Sequence, residues 1–283
     1  MTFSLSTARI AFVGAGSMAE AIFRGLLERQ IAKPEQLYIM NRSDQAKLDR
    51  LHSQYGVHVT NDPTHRETYI SQADVVVLCM KPKDVESSFP ELKSLLHEGQ
   101  LLVSVIAGLS IAKIEMLLQT NIPIVRTMPN TSSTIGLGAT GISFSANTQA
   151  DQQQLAISIF ESVGIVSVVD ESLLEIVTGV SGSGPAYVYY FMEAMIKAGI
   201  EGGLSEENAR KLTVQTVLGA ASMVKHTQED PAELRRKVTS PNGSTEAAIR
   251  VLDQHQFGDS IANAVNRAAE RAKEMGEQIG SSK

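Results

Sequence analysis

Short apolar runs separated by amphipathic stretches fill the first half of the chain. RIAFV (9–13), QLYIM (36–40), DVVVLCM (74–80), LLVSVI (101–106) and IPIVRTM (122–128) have strand length and are rich in β-branched residues. Between them, stretches such as MAEAIFRGLLER (18–29) and KDVESSFPELKSLLH (83–97) place apolar residues at helical spacing. Apolar strands alternating with helices predict a parallel, doubly wound sheet covered by helices. The pattern continues through GATGISFS (138–145), a helix at 151–162 and a last strand IVSVV (165–169). From about Glu171 the period changes. SGPAYVYYFMEAMIKAGI, ENARKLTVQTVLGAASMVKH and DSIANAVNRAAERAKEMGEQI are long helical patterns with no strand between them. The expected organisation is therefore an α/β domain over 1–168 and an all-α domain over 169–283.

In the last helical pattern Ile261, Val265, Ala268, Ala272, Met275 and Ile279 recur at alternating spacings of four and three, one apolar stripe along a helix. It is read in two ways, as packing within its own domain or as a subunit interface. A chain of 283 residues, 43% hydrophobic and 20% charged, has ample material for two cores. Lys and Arg total 25 against 31 Asp and Glu, with no basic block, so neither nucleic acid nor an anionic membrane surface is expected as a partner. The lone cysteine, Cys79, makes no internal disulfide, and no charged segment followed by an apolar run opens the sequence, so a cytoplasmic location is expected. No apolar run approaches the ~18 residues of a membrane span. Six histidines, at 52, 58, 65, 97, 226 and 255, lack ligand spacing, and no metal is expected.

The segment IAFVGAGSMAEAI sets Gly14, Gly16 and Ala19 in a G-x-G-x-x-A pattern between a strand and a helix, with Ala15, Ser17 and Met18 completing the turn. Gly14 permits a tight turn, Gly16 removes the side chain where a pyrophosphate approaches, and Ala19 lets the helix pack closely. This is the Rossmann-type signature of a dinucleotide site. At the end of the second strand, where NAD enzymes carry an acid, Asn41, Arg42 and Ser43 stand instead. An arginine with amide and hydroxyl donors suits the 2′-phosphate of NADP, so NADP(H) is expected, with NAD(H) weaker. The later strand ends Cys79-Met80-Lys81-Pro82 and Ile106-Ala107-Gly108 are expected to border the cofactor, with Cys79 itself an inert core thiol and Ala107 leaving room for a flat ring. There is no G-x-S-x-G elbow and no histidine in a conspicuous motif. A ketone reductase needs a proton donor, whereas hydride addition to a protonated imine simply neutralises the nitrogen.

VGAGSMAEAI (13–22), MKP (80–82), RTMPNTSSTIGLGAT (126–140), TGVSGSGPAYV (178–188) and VTSPNGSTEA (238–247) together resemble the Δ1-pyrroline-5-carboxylate reductases, over nearly the whole chain and in that family's order. The resemblance implies NADPH-dependent reduction of the cyclic imine to L-proline in proline biosynthesis, and a helical domain that intertwines with a partner's. Dimers, and rings of five dimers, are implied. It places the adenosine and phosphates on Gly14 to Ala19 and Asn41 to Ser43. Met80, Lys81, Pro82 and Ala107 flank the ribose and nicotinamide, Asn130 lies near the cofactor, and Glu171 contacts the substrate. Lys237 falls where some members carry a cofactor-contacting Asn. In KVTSPNGSTEA, Pro241 and Asn242-Gly243 make a turn, Ser244 is expected as the N-cap, and a helix follows. Ser240, Gly243, Ser244 and Thr245 are then expected to hold the substrate carboxylate, with Thr245 as the catalytic group at the ring nitrogen. Many relatives read SPGGTT or SPGGAT there, so Asn242 and Ser244 depart from the family. A β-hydroxyacid dehydrogenase would carry a lysine where Val188 stands. A non-catalytic NADP-binding sensor, or a paralogue acting on another imine, is the remaining alternative.

Overall fold

The computed structural model describes Leu5 and residues 7–279. Eight strands form one sheet: β1 (Ile10–Val13), β2 (Leu37–Met40), β3 (His58–Thr60), β4 (Val75–Leu78), β5 (Leu101–Ser104), β6 (Ile124–Met128), β7 (Gly138–Phe144) and β8 (Gly164–Val168). Their order is β3-β2-β1-β4-β5-β6-β7-β8. Neighbours from β3 through β6 are parallel, β6 and β7 are antiparallel, and β7 and β8 are parallel. The chain returns from β6 to β7 through one short turn, Thr131–Ile135, without the crossover a parallel neighbour requires. β3 has no counterpart among the sequence-predicted strands. Its three residues include an exposed His58 and a half-buried Val59, too few to show a period.

Six helices accompany the strands: α1 (Ser17–Glu28), α2 (Gln45–Tyr55), α3 (Pro63–Ser71), α4 (Val85–Leu95), α5 (Ile111–Leu118) and α6 (Ala150–Glu161). Asp44, Asp62 and Ser110 cap α2, α3 and α5 by accepting a backbone N–H. Because successive strand residues face opposite ways, Ile10 and Phe12 enter one core with Ile22, Phe23 and Phe160. Ala11 and Val13 enter another with Phe89, Ile114 and Ile279.

Beyond the sheet come α7 (Leu174–Val177), α8 (Gly184–Glu201), α9 (Glu206–Thr227), α10 (Pro231–Lys237), α11 (Ser244–Gln254) and α12 (Phe257–Gln278). Backbone contacts divide the chain into two compact units, one taking residues up to 183 and from 266 onward, the other 184–265. Two attachments draw that division away from the strand-based 168/169. Leu174 and Val177 cover Gly141 of β7, where a Cβ would stand 2.7 Å from Val177 Cγ1. The end of α12 meets the loop after β5 so closely that a Cβ on Gly276 would lie 2.0 Å from the Gly108 carbonyl oxygen. The α12 stripe is divided accordingly: Ala272 and Ile279 are buried in the first unit, against the α/β part and not within the helical domain, while Ile261 is exposed.

Within the second unit α8 and α9 lie against each other, with Gly199 brought to within a Cβ contact of Ala209. No residue of α8 is buried. Val188, Tyr189, Tyr190 and Phe191 of α8 and Leu212, Val214, Leu218 and Met223 of α9 remain exposed, an apolar surface of the kind that marks an association face. Among the described residues no helix is long and apolar enough to cross a membrane.

Candidate functional site

The turn between β1 and α1 is shaped by two glycines with different tasks. Gly14 has φ +116°, and a Cβ there would stand 2.6 Å from the Cys79 carbonyl oxygen. Its own N–H donates to the Met40 carbonyl at 3.1 Å, so the turn is pressed between the ends of β2 and β4. Gly16 has an ordinary φ of −70° and caps α1 without any side-chain hydrogen bond. The atom nearest to an added Cβ at Gly16 is the Cys79 carbonyl oxygen at 4.0 Å, so its side is open. The first N–H groups of α1 receive no side-chain cap, and the turn beside them leaves room at Gly16, an arrangement that fits a pyrophosphate. Ser17 and Met18 form the first turn of α1, and Ala19 is fully buried against the sheet.

A cleft of ≈ 400 Å³ opens there, lined by Gly14, Ala15, Gly16, Asn41, Arg42, Cys79, Met80 and Lys81. Sequence reasoning missed Lys47, Arg66, Lys83 and Ser88, which also line it. Five cations, Arg42, Lys47, Arg66, Lys81 and Lys83, face two acids, Asp44 and Asp84, so the cleft suits a polyanion. Arg42 is moored across the cleft, its Nη2 donating to Ser87 Oγ at 2.9 Å and Ser88 Oγ at 3.0 Å. Its Nη1 stands 4.0 Å from Asp84. Ser43 donates its N–H to Asn41 Oδ1 at 3.3 Å, which shapes the loop after β2. Pro82 lines a neighbouring groove with Met275 and Ile279. Cys79 is half-buried as a residue and packs on the first core, and desolvation pushes its thiol well above the ordinary range.

Ala107 and Asn130 do not line that cleft. Ala107 is half-buried in the loop after β5. Asn130, two residues beyond β6, spends its amide within the protein: Nδ2 donates to the Ser181 carbonyl at 3.0 Å, and Oδ1 accepts from the Ala139 N–H at 3.3 Å. It thereby ties β7 to a π-helical turn, Thr178–Gly182, that leads into α8. Glu171 is likewise engaged. One carboxylate oxygen accepts from the Ile111 N–H at 2.7 Å, at the start of α5, and from Arg126 Nη1 at 3.1 Å. Arg126 is buried on β6, and its Nη2 reaches Glu175 at 2.7 Å. Glu171, Arg126 and Glu175 line a ≈ 730 Å³ cavity together with Lys113 and Lys273. Among the described residues no cluster of three His, Cys, Asp or Glu could hold a metal ion.

In the second unit the KVTSPNGSTEA segment forms the turn between α10 and α11. Ser244 is not the N-cap. It is already the first helical residue, and Gly243, extended at φ −86° and ψ 170°, is the cap whose carbonyl accepts from Ala247. A glycine cap supplies no side-chain acceptor, so the first N–H groups of α11 carry no side-chain bond. Glu246 reaches back to accept the Asn242 N–H at 2.8 Å and closes the turn. Asn242 has φ +59°, a conformation that glycine and, after it, asparagine tolerate, so this departure from SPGG keeps the backbone path. Ser240 and Ser244 are exposed and Thr245 is half-buried in the first turn of α11. Lys237 is spent on a salt bridge to Glu229.

The helical part matches the family model for pyrroline-5-carboxylate reductase dimerisation over residues 171–275. Residues 9–108 match the model for NADP oxidoreductase, coenzyme F420-dependent. The chain is 40% identical over 271 residues to pyrroline-5-carboxylate reductase 1 of Bacillus subtilis, covering 96% of this chain and 90% of that one. The structure of a pyrroline-5-carboxylate reductase from Coxiella burnetii superposes with a TM-score of 0.88 at 40% identity, covering 95% of this chain and 99% of that one. The Plasmodium falciparum enzyme, solved with NADP bound, gives a TM-score of 0.85 at 31% identity over 96% of this chain and 99% of that one. A glycine-floored, cation-rich cleft on an eight-stranded sheet, followed by helices that match a dimerisation model, agrees with these likenesses along the full length, and the chain belongs to the pyrroline-5-carboxylate reductase family.

Proposed function

We propose that this protein reduces the cyclic imine Δ1-pyrroline-5-carboxylate to L-proline with NADPH, the last step of proline biosynthesis. The observation that carries this is the 40% identity to a pyrroline-5-carboxylate reductase over 96% of the chain. When bound, NADPH supplies the hydride. The residues of this chain bind, orient and exclude. The cleft around Gly14 and Gly16 takes the dinucleotide, the open N-terminus of α1 takes its pyrophosphate, and Arg42 selects NADP(H) over a weaker NAD(H). Met80, Lys81, Pro82, Ala107 and Asn130 belong to the cofactor side of the site.

The turn before α11 is the substrate cradle. Ser240, Gly243 and Ser244, with the N–H groups of the first turn, bind the carboxylate, and Thr245 hydrogen-bonds the ring nitrogen and fixes the C=N bond for attack. Glu171 assists on the substrate side. No general acid is needed, because the iminium nitrogen loses its charge as the C–H bond forms. The reading carries with it a division of labour between 1–168 for the cofactor and 169–283 for substrate and dimer, association as dimers or decamers, no metal requirement and a cytoplasmic site of action. Purified protein mixed with NADPH and pyrroline-5-carboxylate tests it: cofactor oxidation matched by L-proline supports the assignment, and cofactor binding without turnover favours a sensor.

A further inference from the structure

Among the described residues three buried side-chain polar atoms have no hydrogen-bond partner, and of these only Arg66 Nε belongs to a charged group. Arg66 comes from α3, the helix that follows β3, and it lines the same cleft as Arg42. β3 lies beside β2 with Thr60 in register with Met40, and the Asn41 N–H donates to the Thr60 carbonyl at 3.2 Å. The segments leaving these two strands therefore emerge side by side at the end of the cleft where the adenosine ribose of a dinucleotide lies. The Arg66 side chain is only 14% exposed, and its Nη2 is fixed by Glu91 on α4 at 3.2 Å. Arg42 is fixed on the same helix by Ser87 and Ser88. Two guanidinium groups, one from the loop after β2 and one from α3, are thus moored on one helix beside the cleft, and one of them keeps a buried donor without an acceptor. A charged N–H withdrawn from water and left unpaired is costly, and an anionic oxygen entering the cleft relieves that cost.

We propose that Arg66 is a second cofactor-specificity residue, binding with Arg42 the 2′-phosphate that distinguishes NADP(H) from NAD(H). This rests on the reading of the cleft as an NADP(H) site. A phosphate offers oxygens on several sides, so it can accept from both arginines at once. Glu91 acts as a positioning residue, holding the guanidinium through Nη2.

The test is a calorimetric titration of the full-length protein, without any imine, using two ligand pairs: NADP⁺ against NAD⁺, and adenosine 2′,5′-bisphosphate against 5′-AMP. Arg66→Gln is expected to weaken the phosphorylated member of each pair by about tenfold to hundredfold, the worth of one hydrogen bond to a charged group, and to leave the other within about twofold. Arg66→Lys is expected to fall between, since it restores charge without the Nε donor. Equal weakening of both members would make Arg66 a structural prop, and unchanged affinities would place the phosphate out of its reach; either overturns the proposal. Should Arg66→Gln not fold, Arg66→Lys carries the test, a selective loss of about threefold or more supporting the proposal and unchanged selectivity overturning it. Because no turnover is involved, selective binding through Arg66 in a protein that makes no proline would sink the functional reading alone.

Discussion

Substituting the two glycines of the β1–α1 turn by alanine should separate folding from cofactor binding. At Gly14 an alanine would adopt φ +116° and bring Cβ to 2.6 Å from the Cys79 carbonyl oxygen and 2.8 Å from its carbon. The positive φ costs ~1–2 kcal/mol for a residue with a Cβ. The obstacle is backbone that follows directly on β4, which is in parallel register with β1, so relief requires moving a strand end and adds about 1–3 kcal/mol. The sum is ~2–5 kcal/mol. For a unit of this size each kcal/mol lowers Tm by about 2–4 °C, so Gly14→Ala should lose at least ~4 °C without cofactor. At Gly16 φ is ordinary and the atom nearest to the new Cβ is 4.0 Å away, so Gly16→Ala should keep the parental Tm. Its methyl group would instead stand where the pyrophosphate approaches, and NADPH affinity should fall by ~10-fold or more. Thermal unfolding of the apo proteins, paired with fluorescence titration of NADPH, reads both quantities. The reasoning fails if Gly14→Ala unfolds with the parent, or if Gly16→Ala is as destabilised as Gly14→Ala.

Three further outcomes follow from the geometry. Thr245→Val preserves shape but removes the hydroxyl, and turnover should drop by about 10- to 100-fold with stability unchanged; parental turnover would remove Thr245 from the reaction. Glu171→Ala strips Ile111 N–H and Arg126 of one acceptor while Glu175 remains, so a stability loss of ~1–3 kcal/mol is expected, toward the lower end because Glu171 is 32% exposed. Parental stability with a raised substrate KM would show instead that its carboxylate serves the ligand. Burial raises the Cys79 thiol, so it should resist alkylation at pH 8 in the folded protein and react only on unfolding. The sign of the linkage follows: the folded state keeps a proton that the unfolded chain releases near pH ~8.5, so stability should fall as pH rises through that range, and Cys79→Ala should flatten the slope.

The cofactor half was readable because its signals are local. Gly14, Gly16 and Ala19 lie within six positions of one another, and the strands β1 and β4 are unbroken apolar runs, with β5 apolar up to Ser104. Arg66 was not readable, since β3 is too short and too exposed to show a period, and without β3 nothing brings α3 to the cleft. The contact of Gly108 with Gly276 is equally silent, because the two glycines are far apart in sequence and meet only after α12 returns to the sheet. Glu171 and Asn130 could be singled out by their motifs, yet their partners Arg126 and Ser181 are set by tertiary packing. At the turn before α11 the composition gave the loop and the helix that follows it. Whether Gly243 or Ser244 caps the helix depends on one backbone dihedral, which both residue types allow. The departure at Asn242 becomes intelligible only once its φ of +59° is known.

The reaction itself is tested most directly by isotope transfer. The protein is incubated with pyrroline-5-carboxylate and NADPH deuterated at both C4 positions, and the proline is examined by mass spectrometry and NMR. L-Proline carrying one deuterium at C5, formed one for one with the NADPH consumed, is the predicted result. Cofactor consumed without deuterated proline, or proline with no deuterium at C5, would contradict it.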